Sequence, residues 1–245
     1  MIRAAAGLLA GALLAGCGAD GGLRRLDEPV GQRLPERAPA DADAAALYTG
    51  AVRALMQQGH YYAALAHLQE DRRSRGDSAE LRLLEADCRR NLGENAAAAT
   101  LYRGLTGTAF AAQAHHGLGR ILAADGELPR GIDHLRRAAA LRPTDVDVRN
   151  DLGFVLMQAG RYPEARTELA TAAELAPGEA KSRNNLLILL MLMRDEAAVR
   201  RIVARTGVDA ALLARLRAQA QSLQSPATQP TKAGARNAGR TGGAG

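Results

Sequence analysis

Residues Val146–Pro177 and the stretch 34 positions earlier are built to one pattern. Leu152, Gly153, Leu156, Gly160, Tyr162, Ala165, Leu169, Ala172 and Pro177 are matched by Leu118, Gly119, Leu122, Gly126, Leu128, Gly131, Leu135, Ala138 and Pro143. Each copy reads as a helix, a turn at the glycine, a second helix and a stop at the proline. The small residues have a packing reason. At Gly119 and Gly153 the paired helices approach most closely, and the facing places, Gly131 and Ala165, are small as well. One such pair cannot bury its apolar face, so copies must stack into a solenoid with a concave wall.

The pattern extends in both directions. A first pair carries Ala51, Val52 and Leu55, then Gly59 and Tyr61, then Ala64 and Leu68. The second is irregular: Leu81, Leu84 and Cys88 fit one register, while Gly93, Ala98, Tyr102 and Leu105 fit a register one residue later, which reads as one extra residue in its turn. It has Phe110 where the closing proline belongs. A fifth pair, about 180–206, places Leu186, Leu187 and Leu190 and then Ala197, Val199 and Val203, with Arg194 in the place of the turn glycine. Thr144 is expected as an N-cap, and Asp209 to open a last helix. In that helix Leu212, Leu213, Leu216, Ala220 and Leu223 form one stripe opposite Arg215 and Arg217, as a helix covering the end of a solenoid would. A 34-residue repeat with this order of small and large residues resembles the tetratricopeptide repeat. The expected fold is all-α: a superhelix of about five helix pairs plus a C-terminal capping helix, over residues 44–224. The composition agrees: 47% hydrophobic with 3% aromatic residues favours helices.

The segments outside that domain read differently. Arg3, the apolar run Ala4–Ala15 and the box Leu14-Ala15-Gly16-Cys17 resemble a bacterial lipoprotein signal. The resemblance implies that residues 1–16 are removed and that Cys17 is acylated, a firm membrane anchor. Gly18 rather than Asp then points to the periplasmic face of the outer membrane. Residues 17–43 read as a lipidated start and flexible linker rich in Gly, Pro and charge. Residues 225–245 read as a disordered basic tail. The chain has two cysteines, so Cys88 is left alone and is expected to be a buried packing thiol.

The net charge of +6 is spread as arginines along helix faces with few aromatics, which fits solvated surface rather than nucleic-acid binding. No catalytic constellation emerges. The five histidines form no metal-ligand spacing; the neighbours His115 and His116 point about 100° apart on a helix. The sequence contains neither a HExxH pair nor a phosphate-cradling loop. The reading is a non-enzyme with no cofactor, no metal and no small-molecule substrate. The concave wall should be lined by His116 and Arg120; by Asn150, Phe154 and Met157; and by Asn184, Ile188 and Met191. These either form a groove for an amphipathic or extended peptide, with apolar anchors and amides for its backbone, or pack against the next pair or the terminal helix.

The lipid box, the linker and five pairs, with Arg183-Asn184-Asn185-Leu186 after Pro177, resemble the tetratricopeptide lipoprotein of the tight-adherence (Flp-type) pilus system, the TadD family. The resemblance spans roughly residues 1–224. It implies an outer-membrane-anchored periplasmic factor that helps a pilus secretion machine assemble, through its secretin. The alternative is another binding lipoprotein of the same shape, a type IVa pilus pilotin or an envelope scaffold.

Overall fold

The computed structural model describes residues 42–224, with side chains from residue 46 onward. Residues 1–41 and 225–245, where the signal peptide, Cys17, most of the linker and the tail are expected, lie outside the described residues. The described chain forms helices only, in five antiparallel pairs: α1 (Ala42–Gln57) with α2 (Tyr61–Arg75), α3 (Ala79–Asn91) with α4 (Asn95–Leu105), α5 (Ala111–Ala124) with α6 (Leu128–Leu141), α7 (Val146–Gln158) with α8 (Tyr162–Leu175), and α9 (Ala180–Leu192) with α10 (Glu196–Thr206). A single helix, α11 (Ala210–Gln224), follows. This is the tetratricopeptide-repeat superhelix that the 34-residue pattern predicts.

One turn serves every pair. Gly59, Gly93, Gly126 and Gly160 have φ of 80°, 80°, 83° and 73°, and Arg194 takes the same left-handed place at 59°. Beyond each, an N–H closes back onto a helix carbonyl five residues earlier: His60 on Leu55, Glu94 on Arg89, Glu127 on Leu122, Arg161 on Leu156 and Asp195 on Leu190, all at 2.8–2.9 Å. This is the Schellman closure, which satisfies the helix-end carbonyls. The second pair therefore has no inserted residue in its turn, contrary to the sequence reading. Instead α3 is buried on two sides: Leu81, Leu84 and Cys88 face the first pair, and Leu83 and Ala86 face Ala98 and Tyr102. Two apolar faces on one helix look like two registers. The irregular step lies after α4, since Gly93 and Gly126 are 33 residues apart, not 34.

Close approach between paired helices explains the recurring small residues within the repeats. A methyl group on Gly153 would stand 2.6 Å from Leu169 Cγ, and one on Gly119 would stand 2.6 Å from Leu135 Cγ and 3.0 Å from the Gly131 carbonyl. The nearest neighbour of Gly153 is thus Leu169, one turn beyond the expected Ala165. Asp145, not Thr144, caps α7: its carboxylate accepts from Val148 N at 3.1 Å, being the residue in extended backbone just ahead of the helix. Asp209 caps α11 as expected, accepting from Leu212 N at 2.7 Å.

The core falls into three clusters, one from α1–α3, one from α3–α5, and a large one from α6 to α11. α9 is buried along its whole second half, Leu186–Leu192, because α7, α8, α10 and α11 all pack on it. α11 covers α9 with Leu216 and Ala220, while Leu223 remains exposed. Cys88 is fully buried, and burial, then Asp87 and Glu85, push its thiol up to about 12.

Candidate peptide-binding cleft

The inner helices α5, α7 and α9 stand side by side, as the first helices of stacked repeats do. Between them lies a cleft of about 430 Å³. α5 contributes Arg120, Ala123 and Ala124; α7 contributes Asn150, Asp151, Phe154, Val155 and Gln158; α9 contributes Lys181 and Asn185. The lining therefore mixes apolar side chains with amides and charges.

Asp151 organises the polar side. Its Oδ2 accepts from His116 Nε2 at 2.8 Å and faces Arg120 Nε at 3.5 Å. Its Oδ1 accepts from Lys181 Nζ at 3.1 Å and from Asn150 Nδ2 at 3.2 Å. Burial opposes ionisation, but the His116 bond and the charges of Lys181 and Arg120 hold this carboxyl well below the usual carboxylate range. Lys181 bridges further to Asp147 Oδ1 at 3.3 Å. Burial works against its charge too, yet Asp151 and Asp147 raise its pKa above the ordinary lysine value. Asn185 Nδ2 donates to Asn150 Oδ1 at 2.9 Å, which joins α9 to the same network.

Of the residues expected on the wall, Arg120, Asn150 and Phe154 line the cleft, and His116 supports it through Asp151. Met157, Ile188 and Met191 do not: they are 3%, 1% and 8% exposed and belong to the C-terminal core. The correction has a physical cause. α11 and the neighbouring helices close around α9, so positions that would face water in an open superhelix are covered. The alternative packing reading holds for these three. Asn184 also stands apart from the cleft, accepting from its neighbour Arg183 at 3.3 Å. Asn185 takes the place expected of it.

Sequence reasoning missed Asp151, Lys181 and Asn185. The signal for them lay in the repeat period: His116 to Asp151 and Asn150 to Asn185 are 35 residues apart, and Asp147 to Lys181 is 34. The polar contacts form a ladder that steps from each pair to the next. The Asp151 carboxylate is held by His116, Lys181, Arg120 and the Asn150 amide. Among the described residues no group of three or more His, Cys, Asp or Glu side chains is placed to hold a metal, and no helix is long and apolar enough to cross a membrane.

A family model described as "Tetratricopeptide repeat" matches residues 122–187. The chain is 35% identical over 146 residues to the TPR repeat-containing protein PA4299 of Pseudomonas aeruginosa. That match covers 58% of this chain and 54% of the other, so the chain spans about half the length of this curated relative. Among solved structures, Pseudomonas aeruginosa pilF aligns with a TM-score of 0.60 at 21% identity, covering 74% of this chain and 89% of its own. TTC0263 of Thermus thermophilus aligns at 0.56 and 19% identity, over 72% and 98% of the two chains. YrrB, described as a TPR protein with an unusual peptide-binding site, aligns at 0.53 and 17% identity, over 74% and 100%. These structures share the fold. The tetratricopeptide match over residues 122–187 thus falls within a chain whose helix pairs stack as tetratricopeptide repeats do.

Proposed function

We propose that this protein is a lipid-anchored periplasmic scaffold that holds a segment of a partner protein in the cleft between α5, α7 and α9. We further propose that it serves the assembly of a tight-adherence pilus secretion machine through the machine's secretin, from the outer membrane. The observation that carries the binding reading is the cleft itself: Phe154, Val155, Ala123 and Ala124 line it together with amides and charges joined through Asp151. Such a lining offers contacts to an apolar side chain and to backbone N–H and C=O groups. The peptide-binding site ascribed to YrrB supports the same kind of ligand. The lipid box at Leu14–Cys17 and the order of linker and repeats support the envelope and pilus parts of the reading.

The test is a pull-down from envelopes with wild type and with a Phe154→Ala variant. An aromatic anchor of this kind contributes about 2 kcal/mol or more, so secretin recovery should fall by at least about tenfold. Phe154 also packs on the core, so a circular dichroism melt must show the variant folded at the assay temperature. A folded variant that recovers the secretin as wild type does would refute the cleft. Recovery of a type IVa pilus secretin, or of no secretin, would refute the tight-adherence assignment. For the anchor, wild type should take up labelled fatty acid and Cys17→Ala should not; label in both, or in neither, would refute it.

A further inference from the structure

The arginines of this chain are not used alike. On α2 and α3, Arg72, Arg75, Arg82 and Arg89 each hold a carboxylate. On α10, Arg200, Arg201 and Arg205 form no ion pair among the described residues; the α10 and α11 ion pairs that exist use Asp195 with Arg166 and Glu196 with Arg217. Arg201 and Arg205 are one helical turn apart and so share a face. With Arg166 of α8 they rim a cleft of about 500 Å³ whose floor includes Leu186, Leu190 and Ile202. Glu174 is the carboxylate in its wall, and Arg166 reaches Asp195 at 3.7 Å. This cleft opens between the outer helices, on the side of α9 opposite Lys181 and Asn185.

We infer that this cleft docks an acidic segment of a partner protein, with one apolar side chain on the leucine floor and flanking carboxylates on Arg201, Arg205 and Arg166. Three guanidinium groups against Glu174 and the Asp195 that Arg166 reaches leave the cleft positive by one charge, with Arg201 and Arg205 unpaired, and guanidinium forks match carboxylates bidentately. The floor decides against a bilayer. Leu186 and Leu190 are buried at the bottom of a concavity, so they cannot reach into lipid; the guest must protrude. The wall contains no aromatic side chain on which a base would stack. The surface is separate from the α5–α7–α9 cleft and does not depend on the function proposed for it.

The probe is a fluorescein-labelled helical peptide with leucine flanked by glutamates, read by anisotropy against the full-length chain carrying Cys17→Ala, so that no acyl group interferes. Saturable binding is expected, weakened at least about tenfold by Arg201→Gln with Arg205→Gln and by raising ionic strength past the screening range. Phe154→Ala should leave it unchanged, which separates this surface from the inner cleft. The two substitutions are on exposed side chains, and an unchanged melt checks folding. Equal binding by the folded double variant would overturn the inference. So would a failure of the peptide to bind while phosphatidylglycerol vesicles capture wild type and not the double variant; that outcome would make the patch a lipid contact.

Discussion

Gly153→Ala isolates the close approach on which the repeat depends. The new methyl group would meet Leu169 Cγ at 2.6 Å, Cδ2 at 2.9 Å and, on the backbone, Leu169 N at 3.1 Å. Carbon pairs rest at about 3.5–4.0 Å, so α7 and α8 must part by roughly 1 Å or Leu169 must leave its rotamer. Overpacking of this size costs about 1–3 kcal/mol. The substitution also removes a helical glycine, which favours the variant by about 1 kcal/mol. The net expectation is a loss of roughly 0–2 kcal/mol. Gly50→Ala supplies the contrast, since Gly50 lies inside α1 with nothing within 4 Å of a new methyl group; it should gain up to about 1 kcal/mol. Urea unfolding followed by circular dichroism measures both. Leu169→Ala, expected to cost about 2–5 kcal/mol at this buried site, should cost less on the Gly153→Ala background because the methyl group fills part of the hole. Equal gains for Gly50→Ala and Gly153→Ala, with additive Leu169→Ala, would refute the packing account.

Three further outcomes are expected. Arg194→Gly should raise stability by about 0.5–1 kcal/mol, since Arg194 is held in a left-handed conformation that costs a side-chain-bearing residue about 1–2 kcal/mol; a lower melting temperature would contradict it. His115 and His134 bring their Nδ1 atoms to 2.9 Å between α5 and α6; burial, and after it Arg137 and for His134 its partner, hold both pKa values below the ordinary histidine value. Folded values below the unfolded one mean stability that is present above about pH 6.5 and lost as pH falls below it, so the melting temperature should drop between pH 7 and 5, and His134→Gln should remove part of the drop. An unchanged slope in that variant would sink the assignment. Cys88, with its thiol pushed up to about 12 by burial and then by Asp87 and Glu85, should react with a disulfide reagent only as fast as the fold opens; immediate labelling of native protein would show otherwise.

The fold was legible because its constraint is periodic. Glycine and leucine at fixed places specify how close two helices come, and the period survives even where Arg194 replaces the turn glycine. The cleft was only half legible. Phe154, Asn150 and Arg120 follow from their place in the repeat, but whether Met157, Ile188 and Met191 see water depends on where α11 comes to rest, and no local pattern encodes that. The second half of α9, Leu186–Leu192, is apolar on every side, so that stretch has no face to read. Asp151 was overlooked because one aspartate on a helix looks like solvated surface. Its role appears only when His116 and Lys181 arrive from the pairs before and after it.

The division of the core gives the molecule a direction. The cluster formed by α1, α2 and α3 has eight buried members, whereas that running from α6 to α11 has twenty-three. Stacked repeats hold mainly to their neighbours, so they open from an end and stop where a larger core begins. Tension applied to the chain ahead of Ala42 enters through the smaller cluster. The first pair is therefore expected to peel away and give slack before the repeats from α6 onward open.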